Sequence, residues 1–113
     1  MKEIKAIIQP YMLDIVCDAL GQIDGLPGLT ISQVQGFGKT RAVGAEDVVE
    51  EDGRAFARKT KLEVVVTDDM ASAVVDAIAR AARTGKPGDG KIFTYEVSDV
   101  VQIRTGDRGE AAI

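Results

Sequence analysis

The amino-acid sequence predicts an α+β fold of the ferredoxin-like, or split βαβ, type. Two stretches of the order strand, helix, strand follow one another, and a long insert separates them. The chain has 113 residues, a length typical of one domain, so residues 1–113 are expected to form a single unit. Two helices can cover only one face of a four-stranded sheet. We therefore expect the other face to be buried against further copies of the chain.

The first half of the chain begins with an extended pattern and continues with a helical one. Polar and apolar residues alternate from Glu3 up to Pro10, where the proline closes a strand. Leu13, Val16 and Leu20 then recur at helical spacing, and a glycine and a Pro-Gly pair end the helix. The predicted elements are a strand over 3–9, a helix over 12–24 and a strand over 29–36.

The second half repeats this pattern without repeating the sequence. An apolar run precedes the pair Asp68-Asp69, which is typical of the first turn of a helix. The predicted elements are a strand over 61–67, a helix over 70–82 and a strand over 92–98. In the last strand we expect Phe93, Tyr95 and Val97 to lie together. We expect Ile92, Thr94 and Val65 to lie on the open face of the sheet.

The composition excludes several classes of function. The sequence has no histidine and no tryptophan, and Cys17 is its only cysteine. It therefore has no internal disulfide, no Cys/His zinc site and no histidine-dependent nucleophile. Cys17 falls inside the helical pattern and is predicted to be a small buried apolar residue. The net charge of −4 argues against a nucleic-acid interface.

The sequence also lacks the features of a membrane or secreted protein. Its aliphatic runs are far too short to cross a bilayer. Charged residues are mixed into the first five positions, which is unlike the apolar core of a secretory signal. We expect a cytoplasmic protein that does not insert into membranes.

The insert over residues 37–60 is longer than a connection in a compact domain needs. Residues 46–52 include five acids, and lysines and arginines flank them on both sides. No secondary-structure element is predicted within the insert. Charge alone favours a solvated loop, whereas the length favours a segment that becomes ordered on a partner or a ligand.

The most specific segment is the glycine-rich stretch 84–91, with the sequence Thr-Gly-Lys-Pro-Gly-Asp-Gly-Lys. Three glycines allow backbone amides to approach an anion, and two lysines supply positive charge, as in a phosphate-binding loop. It is not the P-loop of an NTPase, because Ile92 stands where a serine or threonine would bind magnesium. The alternative is a plain connection between a helix and a strand.

Two further segments carry weaker signals. Residues 36–39 (Gly-Phe-Gly-Lys) resemble the start of a dinucleotide-binding fingerprint, but Arg41 occupies the position of the third glycine. A Rossmann site is therefore excluded. Arg104, near the C-terminus, would be able to reach a second phosphate group, and the alternative is an exposed arginine at the end of a strand.

Taken together, these segments resemble the PII signal-transduction family, also called nitrogen regulatory protein P-II. The resemblance covers the whole chain. It rests on residues 6–10 (Ala-Ile-Ile-x-Pro), 36–38 (Gly-Phe-Gly), 84–93 (Thr-Gly-Lys-x-Gly-Asp-Gly-Lys-Ile-Phe), 104–106 (Arg-Thr-Gly) and the tail 110–113 (Glu-Ala-Ala-Ile).

The resemblance implies a homotrimer, not an enzyme, that binds ATP, ADP or AMP in clefts between subunits. The phosphate loop 84–91 would wrap the phosphates, and the C-terminal segment 100–113 would supply one cation. The implied nucleotide-binding residues are Gly28, Leu29, Thr30, Gly36, Gly38, Lys39, Glu63, Val65, Thr84, Gly85, Gly88, Asp89, Gly90, Lys91 and Arg104. Residues of about 37–58 correspond to the family's T-loop, which contacts a membrane transporter or a metabolic enzyme. Thr40 and Lys59 are implied as effector-binding candidates.

Three positions depart from the family pattern. Asp52 stands where the family has a tyrosine that is uridylylated, so control by this modification is not expected. Thr40 stands where the family has a glutamine that helps to hold magnesium and 2-oxoglutarate, and a threonine hydroxyl is too short to fill that position. Gln102 replaces an arginine that faces the phosphates. We therefore expect the protein to discriminate the third phosphate of ATP less well. ADP or AMP is then expected to be a more important ligand than ATP.

The sequence thus predicts a regulatory protein that senses adenine nucleotides and has no catalytic cofactor. Magnesium would accompany ATP, and the second effector would be a small anion such as bicarbonate. The alternative is a conventional nitrogen-status sensor that binds ATP with magnesium and 2-oxoglutarate. A slow ATPase that uses the Asp89 region is a third interpretation, and no motif in the sequence specifies it.

Overall fold

A computed structural model of the chain describes residues 1–37, 48–51 and 54–113. Two helices and five strands lie in this part of the chain. They are β1 (Lys2–Ile8), α1 (Leu13–Gly21), β2 (Thr30–Gly36), β3 (Val48–Glu51), β4 (Arg54–Val66), α2 (Asp68–Ala82) and β5 (Gly90–Glu96). Short 3₁₀ turns cover Pro10–Met12 and Gly109–Ala112. The predicted α+β fold is confirmed.

The strands form one antiparallel sheet in the order β2-β4-β1-β5. The fifth strand, β3, pairs only with the first residues of β4, so that these two strands form a hairpin that extends the sheet. β1 therefore lies between β4 and β5, and its residues fix the register of both. Ile8, at the end of β1, pairs with Thr60 on one side and with Gly90 on the other.

Both helices pack on one face of this sheet. Alternate residues of β1 (Ile4, Ala6 and Ile8) point to the helices and are at most 1% exposed. Val74 and Ile78 of α2 lie one helical turn apart and are equally buried against them. The core is thus a single aliphatic layer between the sheet and the helix pair.

Helix α2 is tied to the beginning of the chain. Asp68, in its first turn, forms an ion pair of 2.9 Å with the N-terminal amine of Met1. It also accepts a hydrogen bond of 3.2 Å from Lys2. A carboxylate in the first helical turn is stabilised by the helix dipole, which explains why Asp68-Asp69 marks the helix start correctly.

The predicted start of the third long strand was wrong. Strand β4 begins at Arg54 and not at residue 61, and β3 pairs with it. Residues 48–51 and 54–60 of the insert are therefore extended, whereas the sequence analysis placed no element there. The strand was missed because its first half is rich in charged residues and lacks an apolar alternation. The predictions for Gly38, Lys39, Thr40 and Asp52 lie outside the described residues.

The predicted composition of the open sheet face was also partly wrong. Ile92 pairs with Ala6 and Thr94 pairs with Ile4, so both belong to the face that the helices cover. Phe93 and Tyr95 lie on the open face instead, together with Val65. The prediction for Val65 was correct, and the two positions of β5 were assigned to the wrong face.

Cys17 is only half-buried, so the prediction of a buried residue was too strong. Burial is still the main reason why the pKa of its thiol is raised. No helix within residues 1–37, 48–51 and 54–113 is long and apolar enough to cross a membrane.

Candidate functional site

The glycine-rich loop after α2 is held by its own acidic residue. The Asp89 carboxylate accepts hydrogen bonds of 2.9 Å from the backbone amides of Thr84 and Gly85. It also accepts a short hydrogen bond from the Thr84 hydroxyl. The pKa of Asp89 is held below its ordinary value, first by this hydroxyl and then by the two amides. Thr84 and Asp89 thus shape the loop, and two of its amides are already in use.

The end of the loop passes very close to strand β1. Gly90 has a φ of +103°, and a Cβ atom there would lie 1.6 Å from the carbonyl oxygen of Ile7. Only glycine fits this position, for both reasons. The loop therefore enters β5 in direct contact with the main chain of β1, which fixes its position relative to the sheet.

Lys59 joins the loop to strand β4. Its ammonium group donates a hydrogen bond to the carbonyl oxygen of Gly88, which places the loop beside the end of the β3–β4 hairpin. Burial lowers the pKa of Lys59, and the carboxylate of Asp89 opposes this effect. Gly36, at the end of β2, lies next to the Lys59 stem: a Cβ atom on Gly36 would be 3.9 Å from the Lys59 Cγ.

Lys91 is the last residue of the loop and is exposed at the start of β5. Cross-strand pairing puts it in one row with Ile7 and Lys61 on the open face of the sheet. Beside the loop lies a cleft of about 240 Å³, whose lining includes Ala79, Ala82, Arg83, Asp89, Lys91 and Ile92. The loop thus combines glycine backbone, a cation and an open cavity.

The residues expected to hold the base and the ribose form a second group. Thr30 of β2 and Glu63 of β4 are direct cross-strand partners, and Val65 lies two residues further along β4. Glu63 forms an ion pair of 3.4 Å with Lys61. A hydrogen bond from Glu3 lowers the pKa of Glu63, whereas burial raises the pKa of Glu3.

These two groups are separated within one chain. Glu63 pairs with Lys5 and Gly90 pairs with Ile8, which is three residues, or about 10 Å, further along β1. Thr30 lies on β2 and the loop enters β5, at opposite edges of the four-stranded order, about 14 Å apart across the sheet. Gly28 and Leu29 precede β2 and share this separation from the loop.

The C-terminal segment forms a turn over residues 101–108 that is exposed along its whole length. Gln102 accepts a hydrogen bond of 2.8 Å from the Thr105 hydroxyl, and its main chain bonds to Gly106 and Asp107. The Gln102 side chain thus stabilises the turn itself. Arg104 is exposed, and within the described residues it forms no ion pair. Neighbouring Ile103 is 98% exposed, which is exceptional for such a side chain.

Sequence reasoning missed two residues, one beside the glycine-rich loop and one at the base of the β3–β4 hairpin. Gln9 is 7% exposed and lies against Gly88, and its signal is only a polar residue between an apolar strand and Pro10. Phe56, in β4, contacts Phe37 with ring centroids 5.5 Å apart, at the base of the hairpin. Phe56 was missed because the sequence analysis assigned no strand there.

The family described as Nitrogen regulatory protein P-II matches residues 1–107. This chain belongs to that family. The P-II protein of Klebsiella oxytoca is 47% identical over 118 aligned positions, which cover all of both chains. P-II 1 of Escherichia coli K12 is 46% identical over the same length. Among solved structures, that of Arabidopsis thaliana PII bound to citrate is similar, with a TM-score of 0.80, 40% identity, and coverage of 99% of this chain and 91% of that one.

Membership in the P-II family makes this chain a regulatory protein and not an enzyme. The family match also allows the expected T-loop to be located relative to the glycine-rich loop. The T-loop expected from the resemblance, about residues 37–58, includes Phe37, strand β3 and residues 54–58 of β4 among the described residues. The loop 84–91 and strand β4 meet through Lys59, so the glycine-rich loop and the base of the insert are in direct contact.

Proposed function

We propose that this P-II protein senses adenine nucleotides and transmits the result to a partner protein through the segment between β2 and β4. ATP, ADP or AMP would bind in clefts between the subunits of a homotrimer. The partner would be a membrane transporter or a metabolic enzyme. The observation that carries this proposal is the glycine-rich loop, which Asp89 holds in a fixed shape and which ends at the exposed Lys91.

The loop suits phosphate groups because little ordering is needed when they bind. Asp89 and Thr84 fix one end of the loop, and the close approach of Gly90 to Ile7 fixes the other. A binding site that is already ordered loses less conformational entropy when it takes its ligand. Lys91 then supplies a charge-assisted contact to the phosphates.

The separation of the two residue groups supports clefts between subunits. The loop leads into β5 at one edge of the sheet, whereas Thr30 lies on β2 at the other edge and Glu63 lies beside it on β4. One nucleotide would contact both groups if the loop came from one subunit and Thr30, Glu63 and Arg104 came from its neighbour. In such a trimer the open sheet face, with Phe93 and Tyr95, would be buried.

Two versions of this function differ in the second effector, the ligand that binds in addition to the nucleotide. In the first, Thr40 in place of glutamine excludes 2-oxoglutarate, and a small anion such as bicarbonate takes its place. In the second, the protein is a conventional nitrogen sensor that binds ATP with magnesium and 2-oxoglutarate. The names of the relatives, which are nitrogen regulatory proteins, favour the second version. The loss of the glutamine and of the arginine at position 102 favours the first.

Calorimetric titration tests the proposal. The purified protein is titrated with ATP, ADP and AMP, alone, with magnesium plus 2-oxoglutarate, and with bicarbonate. Binding of at least one nucleotide, at one site per chain, is the expected result. Stronger ATP binding in 2-oxoglutarate would identify the conventional sensor, and an effect of bicarbonate on ADP or AMP would identify the first version. If no nucleotide binds under any condition, the proposal is wrong.

A further inference from the structure

Two carboxylic acids lie side by side on the open face of the sheet. Glu3 is directly opposite Val65, and Glu63 is directly opposite Lys5, so the two acids are diagonal neighbours on β1 and β4. Residues in such diagonal positions are about 7–8 Å apart, within reach of long side chains. The Glu3 and Glu63 carboxyl groups are joined by a hydrogen bond. We refer to these two residues as the Glu3–Glu63 pair.

The lysines beside the pair provide a cation for one of the two acids. Lys61 forms an ion pair of 3.4 Å with Glu63. The Lys5 ammonium lies over β5, 4.9 Å from the centre of the Tyr95 ring. Glu3 takes part in no ion pair among the residues that the structure describes. The contact of the Glu3 carboxyl group with Glu63 is therefore not replaced by a contact with a lysine.

The hydrogen bond within the pair requires one proton. An ionised carboxylate can only accept hydrogen bonds, so two carboxyl groups bond to each other only when one of them is protonated. Burial is the main reason why the pKa of Glu3 is raised, and the contact with Glu63 adds to it. The two groups therefore titrate as a pair. The other titratable groups that face them are Lys5 of β1, Lys61 of β4 and Tyr95 of β5, and β2 adds the hydroxyl of Thr30.

Glu63 also belongs to the group of residues that is expected to hold the base and the ribose. Thr30 is its direct partner on β2, and Val65 follows it on β4. A side chain recognises a ligand precisely only when its own conformation is fixed by neighbouring groups. The hydrogen bond from Glu3 fixes the Glu63 carboxyl group. Loss of the shared proton would place two negative charges side by side at half-buried positions, where they repel each other.

We propose that Glu3 is a positioning residue of the nucleotide site: through a shared proton it holds the Glu63 carboxyl group in place for the base or the ribose, and nucleotide binding weakens when this proton is lost. Glu3 acts on the ligand only through Glu63. The inference rests on the proposed function, because it concerns the control of the same site by pH.

Calorimetric titration of ADP at several pH values between about 5 and about 8 tests this inference. Glu3→Gln is the decisive variant, because its amide donates a hydrogen bond to Glu63 at every pH and has no proton to lose in this range. The quantity to follow is the dissociation constant of the wild type divided by that of Glu3→Gln, since the titration of the ADP phosphates cancels in this ratio. We expect the ratio to increase about threefold or more from the acid to the alkaline end.

Two further variants serve as controls. Asp76→Asn removes a carboxylate from the exposed side of α2, and its ratio to the wild type should stay constant with pH. Glu3→Leu removes the hydrogen bond, so it should bind ADP about threefold or more weakly than Glu3→Gln at every pH. Thermal unfolding and light scattering during gel filtration show whether each variant keeps its fold and its oligomeric state. Glu3→Ala replaces Glu3→Leu if the latter is unfolded.

The outcomes separate this inference from the proposed function. If ADP binds but the ratio of wild type to Glu3→Gln does not change with pH, the inference is wrong and the proposed function stands. An equal change with Asp76→Asn also overturns the inference, because the effect would then be one of general charge. Absence of binding of ATP, ADP and AMP overturns the proposed function. NMR titration of the glutamate carboxyl carbons without ligand still decides then on the shared proton: if no carboxyl group that is absent from Glu3→Gln titrates above the ordinary range of glutamate, the pair does not share one.

Discussion

The Asp89 carboxylate accepts hydrogen bonds from both the backbone amide and the hydroxyl of Thr84, and so closes the phosphate loop on itself. The amide of Gly85 donates to the same carboxylate at 2.9 Å. The Asp89 carboxylate thus accepts the hydrogen bonds that Thr84 and Gly85 would otherwise be able to donate to a bound anion. Asp89 sets the shape of the loop, and in the proposed function Lys91 and the remaining backbone amides would contact the phosphates.

The Asp89 contact predicts a pH-dependent loss of stability in acid. Because these hydrogen bonds hold the pKa of Asp89 below its ordinary value, the carboxylate stabilises the fold above its unfolded pKa of about 4. The contribution is lost as the pH falls through the lower, folded value. Asp89→Asn should therefore reduce the free energy of unfolding by about 1 kcal/mol near neutral pH, and by less in acid. Urea unfolding at neutral pH and below about pH 4 measures both.

Thr84→Val is the companion variant, since it removes only the hydroxyl. It should shift stability in the same direction by a smaller amount and keep the two amide bonds to Asp89. A difference between wild type and Asp89→Asn that stays constant over the whole pH range would contradict this account of the loop.

Because the loop approaches β1 closely, we expect substitution of one glycine to reduce the stability of the fold strongly and substitution of another to reduce it weakly. Gly90→Ala should cost about 3 kcal/mol or more, because its Cβ would overlap the Ile7 carbonyl and its φ is positive. Gly85→Ala is the control: its φ is +85°, but no atom lies within 4 Å of the new Cβ, so only about 1–2 kcal/mol of backbone strain is expected. Chemical unfolding of both variants checks this order. Equal losses would show that the steric contact is unimportant.

We expect the open face of the sheet to form the interface of the proposed trimer. Phe93 and Tyr95 stack there with centroids 6.4 Å apart, and the Lys5 ammonium lies 4.9 Å from the Tyr95 ring centre. Phe93→Glu should dissociate the oligomer, which light scattering during gel filtration would detect as a lower mass. Ile15→Glu is the control, because Ile15 is 52% exposed on α1 and lies outside this face. An unchanged mass for Phe93→Glu would mean that another surface makes the oligomer.

The order of the elements could be predicted because the helix patterns and the turn residues are strong signals. Which residues of β5 face the helices could not be predicted. Both Ile92 and Phe93 are apolar, and the sequence of the strand alone does not show which one points to the helices. The pairing of Ala6 with Ile92 decides this, and such a pairing depends on the fold as a whole. The same holds for Gln9 and Lys59, which meet only because β1 and β4 are neighbours in the sheet.

The glycine loop stands out in the sequence because its three glycines and its lysines lie in one short segment, and its role as an anion site stays a prediction. The role of Asp89 inside the loop could not be predicted, because a carboxylate beside glycines is equally compatible with a metal or a ligand contact. Its hydrogen bonds to Thr84 show which of these roles the geometry supports. The first half of β4 also escaped prediction, since the order Arg-Ala-Phe-Ala-Arg-Lys over residues 54–59 does not alternate polar and apolar side chains.

The central claim is that one nucleotide site takes Lys91 from one subunit and Arg104 from another. Lys91→Ala and Arg104→Ala should each weaken ADP binding about tenfold or more when every subunit carries the change, because a charge-assisted contact is lost. The decisive measurement is calorimetric titration of ADP into trimers formed by coexpressing the two variants in equal amounts. If the residues act across subunits, about a quarter of the clefts regain both cations and bind ADP with wild-type affinity. If the mixed trimers bind no better than either variant alone, the claim is contradicted.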